Sequence, residues 1–227
     1  MTATQGAIAD SGYASLGALD LYYEVRGTGD PLVVIPGGMM TAAMMGPLVS
    51  PLAQTRRVIT IEPQAHGHTL DIDRSLSFEQ LADDTAALIR QLGLDRADLF
   101  GFSLGAEIAL QTAIRRPETV RKLVVVSGRF RSNGEYPEIR ALEQTFAPDM
   151  PLLTQLRDAH LAASASPDGW VSLVSKIRQL LAAEFDWSAQ VAAITRPRWL
   201  CLGTPTRCQS PTRRSCSRYS AAKEPPR

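Results

Sequence analysis

Five consecutive residues, Gly101, Phe102, Ser103, Leu104 and Gly105, form the pattern G-x-S-x-G. At the turn from a strand into a helix, a serine between two glycines is held clear of the sheet, where its hydroxyl can attack a carbonyl carbon. The glycines are needed because side chains flanking the serine would collide in so tight a turn. The N–H of Leu104 and the positive end of the following helix favour the oxyanion that such an attack creates. The alternative reading is a Gly-Ser turn whose hydroxyl caps the helix. A second oxyanion donor is expected from Pro36, Gly37, Gly38 and Met39, through the N–H of Gly38 or Met39, where glycine lets backbone approach a ligand. Read alone, that segment is a strand-ending turn.

A hydroxyl of ordinary pKa is a weak nucleophile and needs a base, which needs an orienting acid. Two of the three histidines, His66 and His68, lie in EPQAHGHT (62–69), a stretch expected to form a structural rim and not to reach Ser103. The third, His160, falls among segments that read as helices, where an exposed or satisfied side chain is expected. No histidine follows it, and after Asp186 the only acid is Glu224. No phosphate loop, dinucleotide fingerprint or metal-ligand cluster is present, so no cofactor and no metal are expected.

The elements that must position these residues follow from periodicity. LDLYYEVR (19–26) alternates and reads as a half-buried strand. LVVIP (32–36) and VITIEP (58–63) are short apolar runs suited to strands covered on both faces. Between Ser77 and Leu92 the apolar residues recur at a helical period, with Ser77 and Gln80 in capping-box positions and Gly93 as the stop. The order repeats: a strand at 97–102, a helix from Leu104 to Arg116 halted by Pro117, and a strand at 122–128. Strands alternating with helices predict an α/β fold with a mostly parallel sheet. From Arg129 to about Ala193, segments around 137–146, 150–163, 169–183 and 187–193 read as inserted helices, before TRPRWLCLG (195–203) resumes the strand pattern. Rings at Phe130, Tyr136, Phe146, Trp170, Phe185 and Trp187 either line an apolar pocket or pack these helices together.

The chain has 227 residues, 44% hydrophobic and 21% charged, with a net charge of +1. These values fit one globular domain and exclude the charge excess of a nucleic-acid binder. No apolar run approaches the roughly 20 residues of a membrane span, and the first residues lack a secretory pattern, so a cytoplasmic location is expected. The averages hide a break near residue 203. Residues 204–227 hold six Lys or Arg and one Glu, leaving 18 basic and 22 acidic groups in residues 1–203. Eleven of those last 24 residues are Ser, Thr or Pro. Cys201, Cys208 and Cys216 fit neither a disulfide framework nor a zinc pattern.

The chain resembles the α/β-hydrolase superfamily, in particular bacterial esterase-like members. The resemblance rests on VVIPGG, VITIEPQAHGHT, DLFGFSLGAEIAL and RRPETVRKLVVVSG, and extends over about residues 16–203. Pro36 stands where many members have histidine, and Glu62 where they usually have aspartate. The resemblance implies a three-layer α/β/α sandwich with a helical cap, lacking the last strand and helices. It divides the chain into core (1–128), cap (129–193), a returning core strand (194–203) and a non-homologous basic tail (204–227). The superfamily order is Ser, then Asp or Glu, then His. The acid should follow PRWLCLG, where this chain has Gly203, Thr204, Pro205 and Thr206. A reading-frame shift near codon 203 would explain the missing acid, the missing base and the altered composition together.

Two functions are expected to compete. One is a serine hydrolase of esterase type acting on a small or medium carboxylic ester, with Ser103 as nucleophile, Leu104 and Gly38 or Met39 as oxyanion donors, and Gly101 and Gly105 shaping the turn. The other is an inactive scaffold of the same fold that binds a small molecule. A dehalogenase is disfavoured, since its nucleophile is usually aspartate.

Overall fold

The computed structural model describes residues 10–166, 168–195 and 198–201. The basic tail, with Cys208 and Cys216, lies outside the described residues. Seven strands form one sheet: β1 (Asp10–Leu16), β2 (Leu19–Arg26), β3 (Asp30–Ile35), β4 (Arg56–Ile61), β5 (Ala97–Phe102), β6 (Val120–Val126) and β7 (Arg198–Cys201). Their order across the sheet is β1-β2-β4-β3-β5-β6-β7. β1 and β2 are antiparallel, β2 meets β4 antiparallel, and every pair from β4 to β7 is parallel.

The apolar runs of β3 and β4 sit at the centre, and their alternate residues serve opposite faces. Val33, Ile35, Ile59, Ile61 and Leu99 belong to the larger core cluster. That cluster also takes in residues of α2 (Phe78–Gln91) and α3 (Leu104–Arg115). Leu32, Val34 and Val58 point the other way, onto Met45 and Val49. Val49 belongs to α1 (Gly46–Leu52). Cover on both faces is why these strands read as continuous apolar runs. Between β6 and β7 lie α4 (Pro137–Gln144), α5 (Thr154–Ala163), α6 (Gly169–Leu181) and α7 (Ser188–Ala192).

The capping box at the start of α2 is half formed. Ser77 accepts a hydrogen bond from the Gln80 N–H at 3.2 Å. The Gln80 side chain does not return to Ser77 and donates instead to Asp84 at 3.1 Å. Two elements were not expected from the sequence. One is β1, an edge strand in which only Ala14 is buried; the other is the stretch from Ala42 through Leu52, a 3-10 turn running into α1.

An ion-pair network binds the amino ends of four parallel strands. Arg56 of β4 and Arg121 of β6 both hold Asp98 of β5, at 2.6 and 2.8 Å, and Arg121 also reaches Asp30 of β3 at 2.9 Å. Burial opposes ionisation of Asp98, but the bonds from Arg121 and Arg56 outweigh it and hold the carboxyl below its ordinary 3.8. A depressed native pKa adds stability that is full above the unfolded-state value and is lost as pH falls through the native one. The melting temperature should therefore fall on acidification below about pH 4. Asp98→Asn should cost about 1–3 kcal/mol near neutrality and flatten that acid limb. Melting curves of both proteins across the acid range check this, and an unchanged limb in the variant would refute it.

Candidate active site

Ser103 sits at the carboxyl end of β5, immediately before α3, with φ 52° and ψ −123°. A serine in this conformation is strained, because its Cβ crowds the backbone at positive φ. The conformation is fixed from outside: the Ser103 N–H donates to Val126 O of β6 at 2.9 Å, and its carbonyl accepts from Ala106 N at 2.7 Å. Its side chain makes no helix-capping hydrogen bond, contrary to the capping alternative, and the residue is exposed.

The two flanking glycines have separate reasons. A Cβ on Gly101 would lie 2.1 Å from the carbonyl oxygen of Gly105, and one on Gly105 would lie 2.1 Å from that of Ile35. The first contact closes the turn on itself, and the second presses α3 against β3. Leu104, buried, is the first residue of α3, so its N–H has no intrahelical acceptor.

The segment after β3 lies beside this turn. Met40 N–H closes it onto Gly37 O at 3.1 Å, and Met39 is buried with φ 65°. A Cβ on Gly37 would lie 3.3 Å from Ser103 Cβ, whereas one on Gly38 would meet Leu104 at an ordinary 3.5 Å. The residue whose missing side chain gives Ser103 its room is thus Gly37, while Gly38 is half-exposed and packs against the first residue of α3. β3 pairs with β4 on one side and β5 on the other, so its loop and the β5 turn flank the point where the chain's winding reverses. In open α/β sheets that crevice is where ligands bind.

Glu62 follows β4 and is fully buried. Its carboxylate accepts from Ala42 N at 2.7 Å, from His68 N at 2.6 Å and from His68 Nδ1 at 2.9 Å. Gly67, at φ 51°, passes so close that a Cβ there would lie 2.3 Å from Glu62 Oε2. His68 also stacks on Tyr22, centroids 4.2 Å apart. His66 is fully buried, its Nδ1 is 2.9 Å from Gln64 O, and burial pushes its pKa down to about 4. Neither ring hydrogen-bonds Ser103. His160 differs from expectation: it is 2% exposed, and neither ring nitrogen has a partner. Helical periodicity placed it on α5 but could not show that the loop after β4 and the start of α6 would close over it.

A buried cluster missed in the sequence ties α3 to the inserted helices. Glu107, one turn after Ser103, accepts from Arg129 Nε at 2.8 Å, and Arg129 also pairs with Glu135 and, at 3.7 Å, with Glu143. Burial pushes Glu107 up to about 7, and Glu143 likewise. One arginine thus faces three carboxylates. Charge alone in the sequence gave no sign of this convergence. The aromatic residues mostly pack. Phe185 stacks on Trp187 at 4.1 Å, Phe78 meets both edge-on, and Trp170 Nε1 donates to Pro148 O at 2.8 Å. Among the described residues, no three His, Cys, Asp or Glu side chains are grouped to hold a metal. No helix among them is long and apolar enough to cross a membrane.

Comparison with known proteins agrees with this architecture. A putative carbamate hydrolase RutD from Azorhizobium caulinodans is 31% identical over 122 residues, which is 54% of this chain and 46% of that protein. A pimeloyl-[acyl-carrier protein] methyl ester esterase from Aliivibrio salmonicida is 30% identical over 115 residues, 51% of this chain and 42% of the relative. The chain thus spans under half the length of either protein. The crystal structure of the enol-lactonase from Burkholderia xenovorans LB400 superposes with a TM-score of 0.66 at 20% identity, covering 85% of this chain and 81% of that one. The family model for the alpha/beta hydrolase fold matches residues 30–198, from the first residue of β3 to the first of β7, and with the sheet order and the turn at Ser103 it shows that the chain belongs to the α/β-hydrolase family.

Proposed function

We propose that the protein is a serine hydrolase of esterase type acting on a small or medium carboxylic ester. The observation that carries this reading is the strained, exposed Ser103 at the carboxyl end of β5, held between two glycines that admit no side chain. Strain of this kind survives only where surrounding structure enforces it, and it gathers at functional sites. Ser103 Oγ attacks the ester carbonyl carbon, and the carbonyl oxygen becomes an oxyanion. That oxyanion receives hydrogen bonds from Leu104 N–H and from the N–H of Gly38 or Met39. As the tetrahedral intermediate collapses, the C–O bond to the alkoxide breaks, the proton lost from the Ser103 hydroxyl passes to that alkoxide so that it leaves as the alcohol, and the acyl-serine is then hydrolysed by water to the acid and free Ser103. The relatives' names, a carbamate hydrolase and a methyl ester esterase, support carbonyl substrates of this class.

A second reading is favoured by the histidines. With His68 held by Glu62 and His66 and His160 buried, no base is bonded to Ser103 among the described residues. The 227-residue chain would then act as a binding scaffold without turnover. A fluorophosphonate probe separates the two. On the hydrolase reading, one equivalent labels Ser103, and Ser103→Ala abolishes labelling. Labelling at another residue, or none, would leave the scaffold reading standing.

A further inference from the structure

Ser127 is a second exposed serine at positive φ, 54° beside the 52° of Ser103. In the parallel pairing of β5 with β6, Phe102 lies opposite Val126, so Ser103 and Ser127 occupy the next register position. Adjacent strands stand about 4.8 Å apart, which puts the two serines side by side where both strands end. The bond from Ser103 N–H to Val126 O at 2.9 Å fixes that position. Past Ser127 the chain is pressed onto α3: a Cβ on Gly128 would lie 2.4 Å from Ala106 Cβ, and Arg129 Nε donates to Glu107 at 2.8 Å. Ser127 is therefore held between anchored neighbours. Glycine would take its backbone conformation without steric cost. A serine kept there instead is strain of the kind that gathers at functional sites.

The sheet order sets what Ser127 can meet. β5 lies between β3 and β6, so Gly38 and Met39 flank Ser103 on one side and Ser127 flanks it on the other. A carbonyl oxygen drawn to the oxyanion donors on the β3 side leaves one of the other two substituents, the acyl chain or the alcohol, toward β6. We infer that Ser127 is a specificity-determining residue whose side chain hydrogen-bonds a hydroxyl group that the ester carries close to its scissile carbonyl. The inference rests on the reading of Ser103 as the nucleophile toward an ester. A serine hydroxyl has one donor and two acceptor sites, which another hydroxyl matches. A carboxylate on the substrate fits less well: Arg129, two residues on, is buried and already paired with Glu107 and Glu135.

In the full 227-residue chain carrying Ser103→Ala, ester affinity is read apart from reactivity. Methyl 3-hydroxybutyrate carries a hydroxyl on the acyl side, 2-hydroxyethyl butyrate carries one on the alcohol side, and methyl butyrate carries neither. Dissociation constants come from the amide shifts of Leu104 and Gly128 on titration. Adding Ser127→Ala should weaken one of the hydroxylated esters about three- to tenfold, the worth of one neutral hydrogen bond, and leave methyl butyrate unchanged. The ester affected identifies the substituent that faces β6. Ser127→Gly, which also relieves the backbone, should give the same loss. Equal losses for all three esters, no loss for either hydroxylated one, or no saturable shift with any of them overturns the assignment. The hydrolase reading stands or falls separately, on fluorophosphonate labelling of Ser103 in the wild-type chain.

Discussion

Gly105→Ala is expected to lower stability by about 3–5 kcal/mol, a large share of the 5–15 kcal/mol that holds a domain of this kind together. Helix propensity alone predicts the opposite sign, since alanine is better than glycine in a helix by about 1 kcal/mol. Propensity loses because the new methyl would stand 2.1 Å from the Ile35 carbonyl oxygen and 2.5 Å from that of Pro36. Both obstacles are backbone, and no rotamer change relieves them. Either α3 lifts from β3 or the end of β3 bends, and each opens a core in which Val33, Ile35, Ile108 and Ala109 are fully buried. Gly169→Ala is the control: it also lies in a helix, but its new methyl meets nothing closer than 3.7 Å. That substitution should range from neutral to about 1 kcal/mol stabilising. Urea unfolding of the two variants beside the wild type tests the contrast, and equal effects would show that the close approach does not govern stability.

Ester hydrolysis by the 227-residue chain should be slow, at about 10³–10⁴ times the solvent rate, where complete serine triads add several further orders of magnitude. In such enzymes an oxyanion hole and substrate binding supply the first part, and a serine activated by a general base supplies the rest. His68 is bonded to Glu62, while His66 and His160 are buried with lowered pKa values. The rate should therefore lack the sigmoidal step near pH 6–7 that a catalytic histidine imposes. Initial rates on an activated ester across that range, with the protein-free buffer rate as the blank, provide the check. A clear step, removed by substituting one of the three histidines, would place a base at the site and discard the scaffold reading.

The parallel core was legible in the sequence because its signals are local. LVVI and VITI are apolar on both faces, Ser77 caps α2, and Gly93 ends its pattern. β5 begins at Ala97 and α3 at Leu104, as the periodicity predicts, and the four inserted helices fall where apolar spacing places them. β1 escaped because DSGYASL has no apolar alternation; pairing with β2 makes it a strand. The 3-10 turn and α1 escaped because short elements with Pro47 and Pro51 read as loop, although the Met45 and Val49 they supply cover the second face of the sheet. In the site, G-x-S-x-G announced its own turn. The Glu62 clamp, the Glu107–Arg129 cluster and the burial of His160 all depend on partners distant in the chain, which no spacing within one segment reveals.

Each of the four parallel strands from β3 to β6 carries a member of the ion-pair network near its amino end: Asp30, Arg56, Asp98 and Arg121. Shortly past its carboxyl end each carries a non-glycine residue at positive φ: Met39, Ala65, Ser103 and Ser127. The molecule therefore has a fastened end and a loaded end. The charges interlock far along the sheet from these strained turns. Loops at the loaded end can be exchanged over evolutionary time without renegotiating how the strands align. That separation gives a physical reason why one sheet serves relatives named for carbamates, methyl esters and enol-lactones.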